Sequence, residues 1–424
     1  MLTQAPKGTK DMLPRDAHRW QSIEELMRGI CATAGYREVR TPMFEHTELF
    51  LRGVGDTTDV VQKEMYTFLD KGERSITLKP EGTAGVARAF IEAHLYAEPL
   101  PLKMCYISNP VFRYDKPQAG RYRQHHQLGV EVFGAKDASC DAEVIRLAAD
   151  VLNGCGLIDV PLHINSIGCP VCRAQYQDAL RAFLAPKLPH LCKTCADRFE
   201  RNPMRILDCK EETCQKQTQG APAMLDMLCA DCDAHFQTLQ KYLAAEGLEY
   251  TIDPRIVRGL DYYTKTVFEF ITQTPTGPLT VCGGGRYDGL IEQLGGPATP
   301  GMGFGMGVER IILEQDAHGI APAPARLCDA FVVTLGDEAR LEAVKLVREL
   351  RQIGVRADLD HAARSMKAQF KYADKIGARH VIVIAGDEIA KGVVKLRDMQ
   401  TGTEAEVARE EIAARMGGET DARL

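Results

Sequence analysis

Residues 103–134 read KMCYISNPVFRYDKPQAGRYRQHHQLGVEVFG, and this stretch decides the fold. Two extended runs flank a polar segment at 115–122, where Pro117 and Gly120 break the chain, so two antiparallel strands joined by a loop are expected. Side chains alternate faces along a strand. In the second strand that puts Leu128, Val130 and Val132 on one side, and Arg123, His125, Gln127, Gly129 and Glu131 on the other. The second face offers a cation, hydrogen-bonding groups, a gap and a carboxylate in a row. A solvated strand face can look similar. Here the connecting loop adds Lys116 and Arg121, and the first strand ends in Arg113. Together these suit a ligand that carries phosphate and further polar groups.

Around this stretch lie 424 residues, enough for two or three domains with ample core. The composition is 45% hydrophobic and 26% charged, with a formal net charge of −6, as in ordinary globular proteins. No apolar run approaches the ~18 residues of a membrane span, and the first residues, MLTQAPKGTKDMLPRD, lack the build of a signal peptide. A cytosolic protein is expected. The mild acidity does not exclude nucleic acid, which is bound by local basic patches.

Upstream, Trp20, Ile23, Leu26, Met27, Ile30 and Cys31 form a helical stripe ended by Gly35, followed by a strand at 36–40 and Thr41-Pro42. Residues 74–90 read as a strand, a turn at Pro80-Glu81-Gly82-Thr83 and a helix. Glu81 there either favours the helix N-terminus or faces a substrate ammonium. A helix at 141–154 and a strand at 160–167 follow. From Gly168 the character changes: Cys169/Cys172, Cys192/Cys195 and Cys229/Cys232 form three C-x-x-C pairs, with Cys209 and Cys214 between them. In a reducing compartment such clustering points to metal thiolates. Eight thiols make two tetrahedral zinc sites, or one with thiols to spare. The alternative is a set of free or buried thiols.

Downstream, residues 256–270 (IVRGLDYYTKTVFEF) read as a strand with Arg258, Leu260, Tyr262 and Thr264 on one face and Gly259, Asp261 and Tyr263 on the other. The run CGGGRY at 282–287 lets a ligand or strand approach the backbone closely. In PGMGFGMGVERIILEQ, Gly301, Gly303, Gly305 and Gly307 alternate with Met302, Phe304 and Met306, so one strand face is bare backbone and something flat is expected against it. A helix opens near Val308 with Arg310 in its first turn, against the macrodipole preference for acids there. An Ala/Pro linker at 318–327 precedes a βαβαββα pattern, which implies a separate α/β domain. In it Arg364, Lys367, Lys371 and Lys375 share a helix face, a solvated stripe or an RNA phosphate contact.

Taken in order, these stretches closely resemble the bacterial histidyl-tRNA synthetases, a family of class II aminoacyl-tRNA synthetases. Residues 35–50 are similar to class II motif 1, 111–131 to motif 2 and 301–312 to motif 3. RGLDYY at 258–263 and CGGGRYD at 282–288 resemble stretches specific to the histidine enzymes. The resemblance implies an α+β fold: an antiparallel sheet flanked by helices (residues 1–167 and 233–320), the cysteine-rich insertion (168–232) and a C-terminal anticodon-binding domain (328–424). It implies a homodimer with Pro42 near its interface, ATP with Mg2+ as co-substrate, and L-histidine and tRNA(His) as the other substrates. It assigns Arg113, Arg258 and Arg310 to catalysis, with Arg113, Arg121 and Arg310 on ATP. Glu81, Thr83, Gln127, Glu131, Arg258, Tyr262 and Tyr263 fall to histidine. Arg123 and the 115–122 loop fall to the tRNA acceptor end. A regulatory paralogue of this fold, part of ATP phosphoribosyltransferase, is disfavoured by the C-terminal domain and the intact site residues. The zinc expectation rests on cysteine spacing alone.

Overall fold

The strand pair read from residues 103–134 lies within a larger sheet in the computed structural model, which describes residues 3–55, 58–209, 211–275, 277–320, 322 and 327–417. The chain divides into two units, Met1–Pro322 and Ala323–Leu424. The main sheet of the first unit comprises β1 (Arg37–Glu38), β2 (Leu102–Phe112), β3 (Gln124–Phe133), β4 (Leu162–Ser166), β5 (Thr251–Ile252), β6 (Thr264–Thr274), β7 (Gly277–Arg286) and β8 (Gly301–Gly307). Their spatial order is β1-β2-β3-β8-β7-β6-β4-β5. The run from β2 to β4 is antiparallel, whereas the two-residue strands β1 and β5 pair in parallel at the edges. The antiparallel sheet is therefore present with a short parallel strand on each side.

Seven helices position the site: α1 (Pro14–Thr33), α2 (Thr83–Glu92), α3 (Ala138–Gly154), α4 (Pro170–Leu184), α5 (Lys193–Arg201), α6 (Ala230–Ala245) and α7 (Val308–Ala317). The period-two reading of β3 holds: Leu128, Val130 and Val132 join Met302, Phe304 and Met306 of β8 in one core. The buried stripe of α1, Trp20, Ile23, Met27 and Cys31, closes that core together with α3 and α6. The polar side of the sheet faces a second cluster, which contains Tyr106, Tyr262, Tyr263, Tyr287 and the apolar residues of the cysteine-rich segment. A small three-stranded sheet (Phe44–His46, Tyr66–Leu69, Ser75–Leu78) stands apart, with Phe44, Phe68 and Leu69 exposed.

Two expectations change. The strand expected from residue 256 begins at Thr264, because the ladder partners stop there: β4 pairs only as far as Thr266 and β7 only as far as Thr264. Residues 256–263 are a loop. Tyr262 and Tyr263 are consequently both buried, their ring centroids 4.7 Å apart, instead of facing opposite ways. The bare face of β8 is also already occupied. Side chains of Tyr287, Glu131 and Gln127 lie over Gly301, Gly303 and Gly305, where a Cβ would come within 2.3, 2.3 and 3.5 Å of them.

Arg286, in the CGGGRY run, is a structural residue. It is fully buried, and its guanidinium donates to Asp141, Asp288 and the carbonyls of Ala135 and Asp137. Asp141, also fully buried, takes a further contact of 2.8 Å from His235 of α6. Removing one partner of a buried pair strands the other charge. Asp141→Ala is therefore expected to lower unfolding stability by about 3–5 kcal/mol. Denaturant titration measures this, and a loss below about 1 kcal/mol would contradict it.

The second unit has a sheet of β9 (Ala330–Thr334), β10 (Ala357–Leu359), β11 (His380–Ile384), β12 (Val393–Asp398) and β13 (Glu404–Ala408), in the order β10-β9-β11-β12-β13. It carries α8 (Asp337–Gln352) and α9 (Met366–Lys375), besides a short helix at Gly386–Lys391 and a final one at Ile412–Gly417. The βαβα start was legible; β13 and the Gly386–Lys391 helix were not expected. Arg364 precedes α9 instead of sharing its face, paired to Asp360 at 2.5 Å and lying over the Tyr372 ring. Lys367, Lys371 and Lys375 do line the exposed side of α9. Of the expected 318–327 linker, residues 321 and 323–326 lie outside the described residues, as do 1, 2 and 418–424 of the expected outer domains.

Candidate active site

The site is built on the polar face of the central strands. At one end, β3 presents Glu131, which is completely buried. It accepts hydrogen bonds from Thr83 Oγ1 at 2.8 Å, from Tyr106 Oη at 3.2 Å and from Tyr287 Oη. Glu81 lies beside it at the start of α2. Its two oxygens accept the Thr83 and Ala84 N–H groups, each at 2.7 Å, and Tyr262 Oη is 3.5 Å away. The helix-start reading of Glu81 holds: it satisfies the free N–H groups there, and its carboxylate lies against Tyr262. Among the described residues neither carboxylate makes an ion pair. Burial lifts the carboxyl of Glu81 above its ordinary value, and that of Glu131 to about 8 despite its three hydroxyl donors. Two buried acids without a directly paired cation, with Arg113 acting on Glu81 only across a distance, are matched to a ligand that brings positive charge and N–H donors.

Toward the other end the face turns cationic. Arg258 lies flat on Gly283, where a Cβ would come 2.5 Å from its guanidinium, and pairs with Glu269. Against the cost of burial, Glu269 and Tyr263 hold its guanidinium above the ordinary value. Arg113, just past the end of β2, donates from Nε to the Pro80 carbonyl at 2.8 Å. Arg310, in the first turn of α7, donates to the carbonyls of Gly120 and Thr280. Its unexpected place in that turn is explained by this reach across the sheet. Burial, and then Arg121, Arg113 and Arg258, push the Arg310 guanidinium down. Cations that crowd one another in this way mark an anion-binding surface. His125, half-buried beside Arg113 and Arg310, is driven down to about 3 by loss of solvent and by those two cations, and stays neutral. Gln127 lies over Gly305, and Glu309 fixes His126 through its backbone N–H and Nδ1.

The structure therefore gathers the acids and tyrosines (Glu81, Thr83, Glu131, Tyr262, Tyr263) at one end and Arg113, Arg121, Arg258 and Arg310 along the rest. Sequence reasoning missed two members. Tyr106 sits opposite Gly129 in the β2–β3 register, and its ring fills the space that glycine leaves. That gap residue was the available signal. Tyr287 ends a glycine run, and only the packing over Gly301 reveals its reach to Glu131.

The eight cysteines of the 168–232 segment separate into two groups of four, Cys169/Cys172/Cys229/Cys232 and Cys192/Cys195/Cys209/Cys214, the sulfurs in each lying within 4.8 Å of one another. The pairs Cys169–Cys172 and Cys192–Cys209 are 3.6 and 3.9 Å apart. Four thiolates about 2.3 Å from one zinc ion stand about 3.8 Å from each other. Backbone N–H groups of Cys229 and Cys192 point at Cys172 and Cys214 sulfurs, at 3.1 and 3.2 Å. Such donors favour thiolates. The donor set and spacing fit two structural zinc sites.

The sheet, the site side chains laid over its glycine strand and the arginines are those of a class II aminoacyl-tRNA synthetase. Comparison with known proteins narrows the class. The histidyl-tRNA synthetase family matches residues 8–311 and the anticodon binding domain family matches 329–417. The histidine–tRNA ligase of Alkaliphilus oremlandii is 57% identical over 97% of this chain and 98% of its own length. That of Caldanaerobacter subterraneus is 55% identical over 97% and 99%. The apo crystal structure of S. aureus histidyl-tRNA synthetase superposes with a TM-score of 0.84 at 38% identity, covering 98% of this chain and 99% of that one. The chain belongs to the histidyl-tRNA synthetase family. Among the described residues no helix is long and apolar enough to cross a membrane.

Proposed function

We propose that the trough activates L-histidine with ATP, brought as its magnesium complex, and passes the histidyl group to tRNA(His), so that the chain is a histidine–tRNA ligase. The observation that carries this is the joining of two buried carboxylates, neither in an ion pair, to a row of guanidiniums on one sheet face. An amino acid with an ammonium and ring N–H groups fits the first, and a triphosphate fits the second.

A carboxylate oxygen of histidine attacks the α-phosphorus of ATP. The bond from that phosphorus to the bridging oxygen breaks, and pyrophosphate leaves. A hydroxyl at the 3′ end of the tRNA then attacks the activated carbonyl carbon, and AMP leaves. The protein supplies no bond-forming atom, so its work is positioning and charge stabilisation. Arg258 spans the histidine carboxylate and α-phosphate, and Arg113 holds the α-phosphate. Arg310 holds the γ-phosphate and covers the adenine, while Arg121 serves the phosphates or the tRNA end. The permanent charge and forked donors of arginine suit each place. Glu81, Thr83 and Gln127 take the α-amino end. Glu131, Tyr262 and Tyr263 take the imidazole, and Tyr106 and Tyr287 hold Glu131. Exchange of pyrophosphate into ATP tests the reading: dependence on histidine supports it, and exchange with a different amino acid, or none, overturns it.

The tRNA contacts follow the cations: Arg123 and the 115–122 loop at the acceptor end, and the α9 lysines in the second unit. Lys367→Glu with Lys371→Glu is expected to weaken tRNA charging while leaving exchange intact; unchanged charging over a salt series would remove α9 from the interface. A homodimer is supported by the exposed Phe44, two residues from Pro42, and by the exposed Phe68 and Leu69 of the same small sheet. Sedimentation at the mass of one chain would refute it.

The two four-thiol groups hold structural zinc, in the segment proposed as an insertion at 168–232. Protein purified without chelator is expected to carry about two zinc ions per chain, and less than about 0.2 by elemental analysis would end the idea.

A further inference from the structure

The loop at 258–263 bears Arg258, Tyr262 and Tyr263, yet it has no strand partner of its own. Much of its support comes from the cysteine-rich segment. Arg173 follows Cys172 directly in the first turn of α4. It donates to the Asp261 carbonyl at 3.2 Å and to the Tyr263 carbonyl. Asn202 ends α5, whose N-cap is Cys192 and whose first turn holds Cys195. Its Nδ2 donates to Asp261 Oδ1 at 2.8 Å. The remaining side of Asp261 is closed by its N–H bond to the Val54 carbonyl at 3.1 Å and by Gly55, whose missing Cβ leaves the room its carboxylate fills. Arg198 and Arg205 anchor the same segment to Asp59. Each group of four thiols thus holds one of the two side chains that grip the loop.

The helix that leads to Asn202 is too short to hold this geometry alone. α5 has nine residues, and isolated helices shorter than about 12 residues are marginal in water. Cross-linking by metal removes freedom from such a segment and fixes where its side chains point.

We propose that zinc in the two thiol groups controls histidine binding at a distance, by fixing Arg173 and Asn202 and through them the backbone of Asp261 and Tyr263. Arg173 and Asn202 are positioning residues: their hydrogen bonds go to the loop at Asp261 and Tyr263, and through it they aim Tyr262, Tyr263 and Arg258. This rests on the zinc reading above. ATP depends mainly on Arg113 and Arg310. Among the described residues their side-chain bonds go to Glu64, Pro80, Gly120 and Thr280 and not to the segment, so the two substrates respond differently.

Steady-state pyrophosphate exchange on the full chain, varying histidine and ATP separately, tests this alongside zinc content. Arg173→Met and Asn202→Ala are each expected to raise the histidine KM at least about tenfold, with the ATP KM changed less than about threefold and zinc still near two per chain. Arg173→Lys restores part of the loss. Stripping zinc with a selective chelator, then removing the chelator, gives the same selective rise, and added zinc reverses it. If zinc is present but the substitutions leave the histidine KM within about twofold, the positioning role fails while the zinc reading stands. If zinc is below about 0.2 per chain, both fail. A parallel rise of both KM values with a lower unfolding midpoint reduces the segment to general stability and overturns the proposal.

Discussion

Arg258→Met is expected to slow histidine-dependent pyrophosphate exchange at least about a hundredfold, a loss of about 2.7 kcal/mol or more of transition-state stabilisation. The reason lies in where the charge moves. As the carboxylate attacks, negative charge builds on the α-phosphate oxygens, and Arg258 is the guanidinium assigned to both reacting groups. It is held in advance, flat against Gly283 and tied to Glu269. A fixed cation in a buried site costs no reorganisation when the charge develops. Methionine keeps the stem and loses the charge, and it also leaves Glu269 without its ion pair. An unfolding curve and ATP binding measured without histidine separate catalysis from stability. A decrease of less than about threefold in exchange would remove Arg258 from its role.

Glu131→Gln carries the second large effect. The residue is enclosed by three hydroxyls that donate to it, and the amide keeps its size while offering only one acceptor atom. The kcat/KM for histidine is expected to fall at least about a hundredfold, since a site built to bond a ring N–H penalises a mismatched partner heavily. Acidity adds a second signature. In the free protein the carboxyl titrates at about 8, so the ionised form that accepts an imidazole N–H is lost as pH falls below that value. Wild-type kcat/KM for histidine should decline from pH 8.5 to 6.5, with ATP binding flat. Stability runs the other way. A carboxyl raised on folding contributes stability that is fully present below its unfolded value and disappears as pH rises through about 8. Glu131→Gln is therefore expected to be more stable relative to wild type at pH 8.5 than at pH 5. A variant whose relative stability is the same at both pH values would contradict the raised carboxyl.

Much of this arrangement was legible because it lies on central antiparallel strands, where period two is enforced from both sides. Leu128, Val130 and Val132 against Gln127, Gly129 and Glu131 is such a case, and the glycine alternation at 301–307 is another. The error at 256–263 has the same root. Alternating bulky and small residues look like a strand, but a strand needs neighbours, and the neighbours β4 and β7 end short of it. The edge strands β1 and β5, two residues each, are too short to carry any pattern. Thiol spacing indicated metal, but the grouping of Cys169 with Cys229, sixty residues on, depends on how α4 and α6 return to one point. The reach of Tyr287 to Glu131 and of Asn202 to Asp261 is likewise set by packing, which no local pattern encodes.

The glycine strand has a consequence for anyone wishing to change what the enzyme accepts. Gly301, Gly303 and Gly305 lie directly under Tyr287, Glu131 and Gln127, so the room each glycine leaves is already taken by a side chain of the site. Adding even a methyl at Gly303 would strike both the Glu131 carboxylate and the Val130 carbonyl at 2.3 Å. Room for an unnatural amino acid has to be cut from the walls, at Tyr106, Tyr262, Tyr263 or Tyr287, each of which also steadies a neighbour.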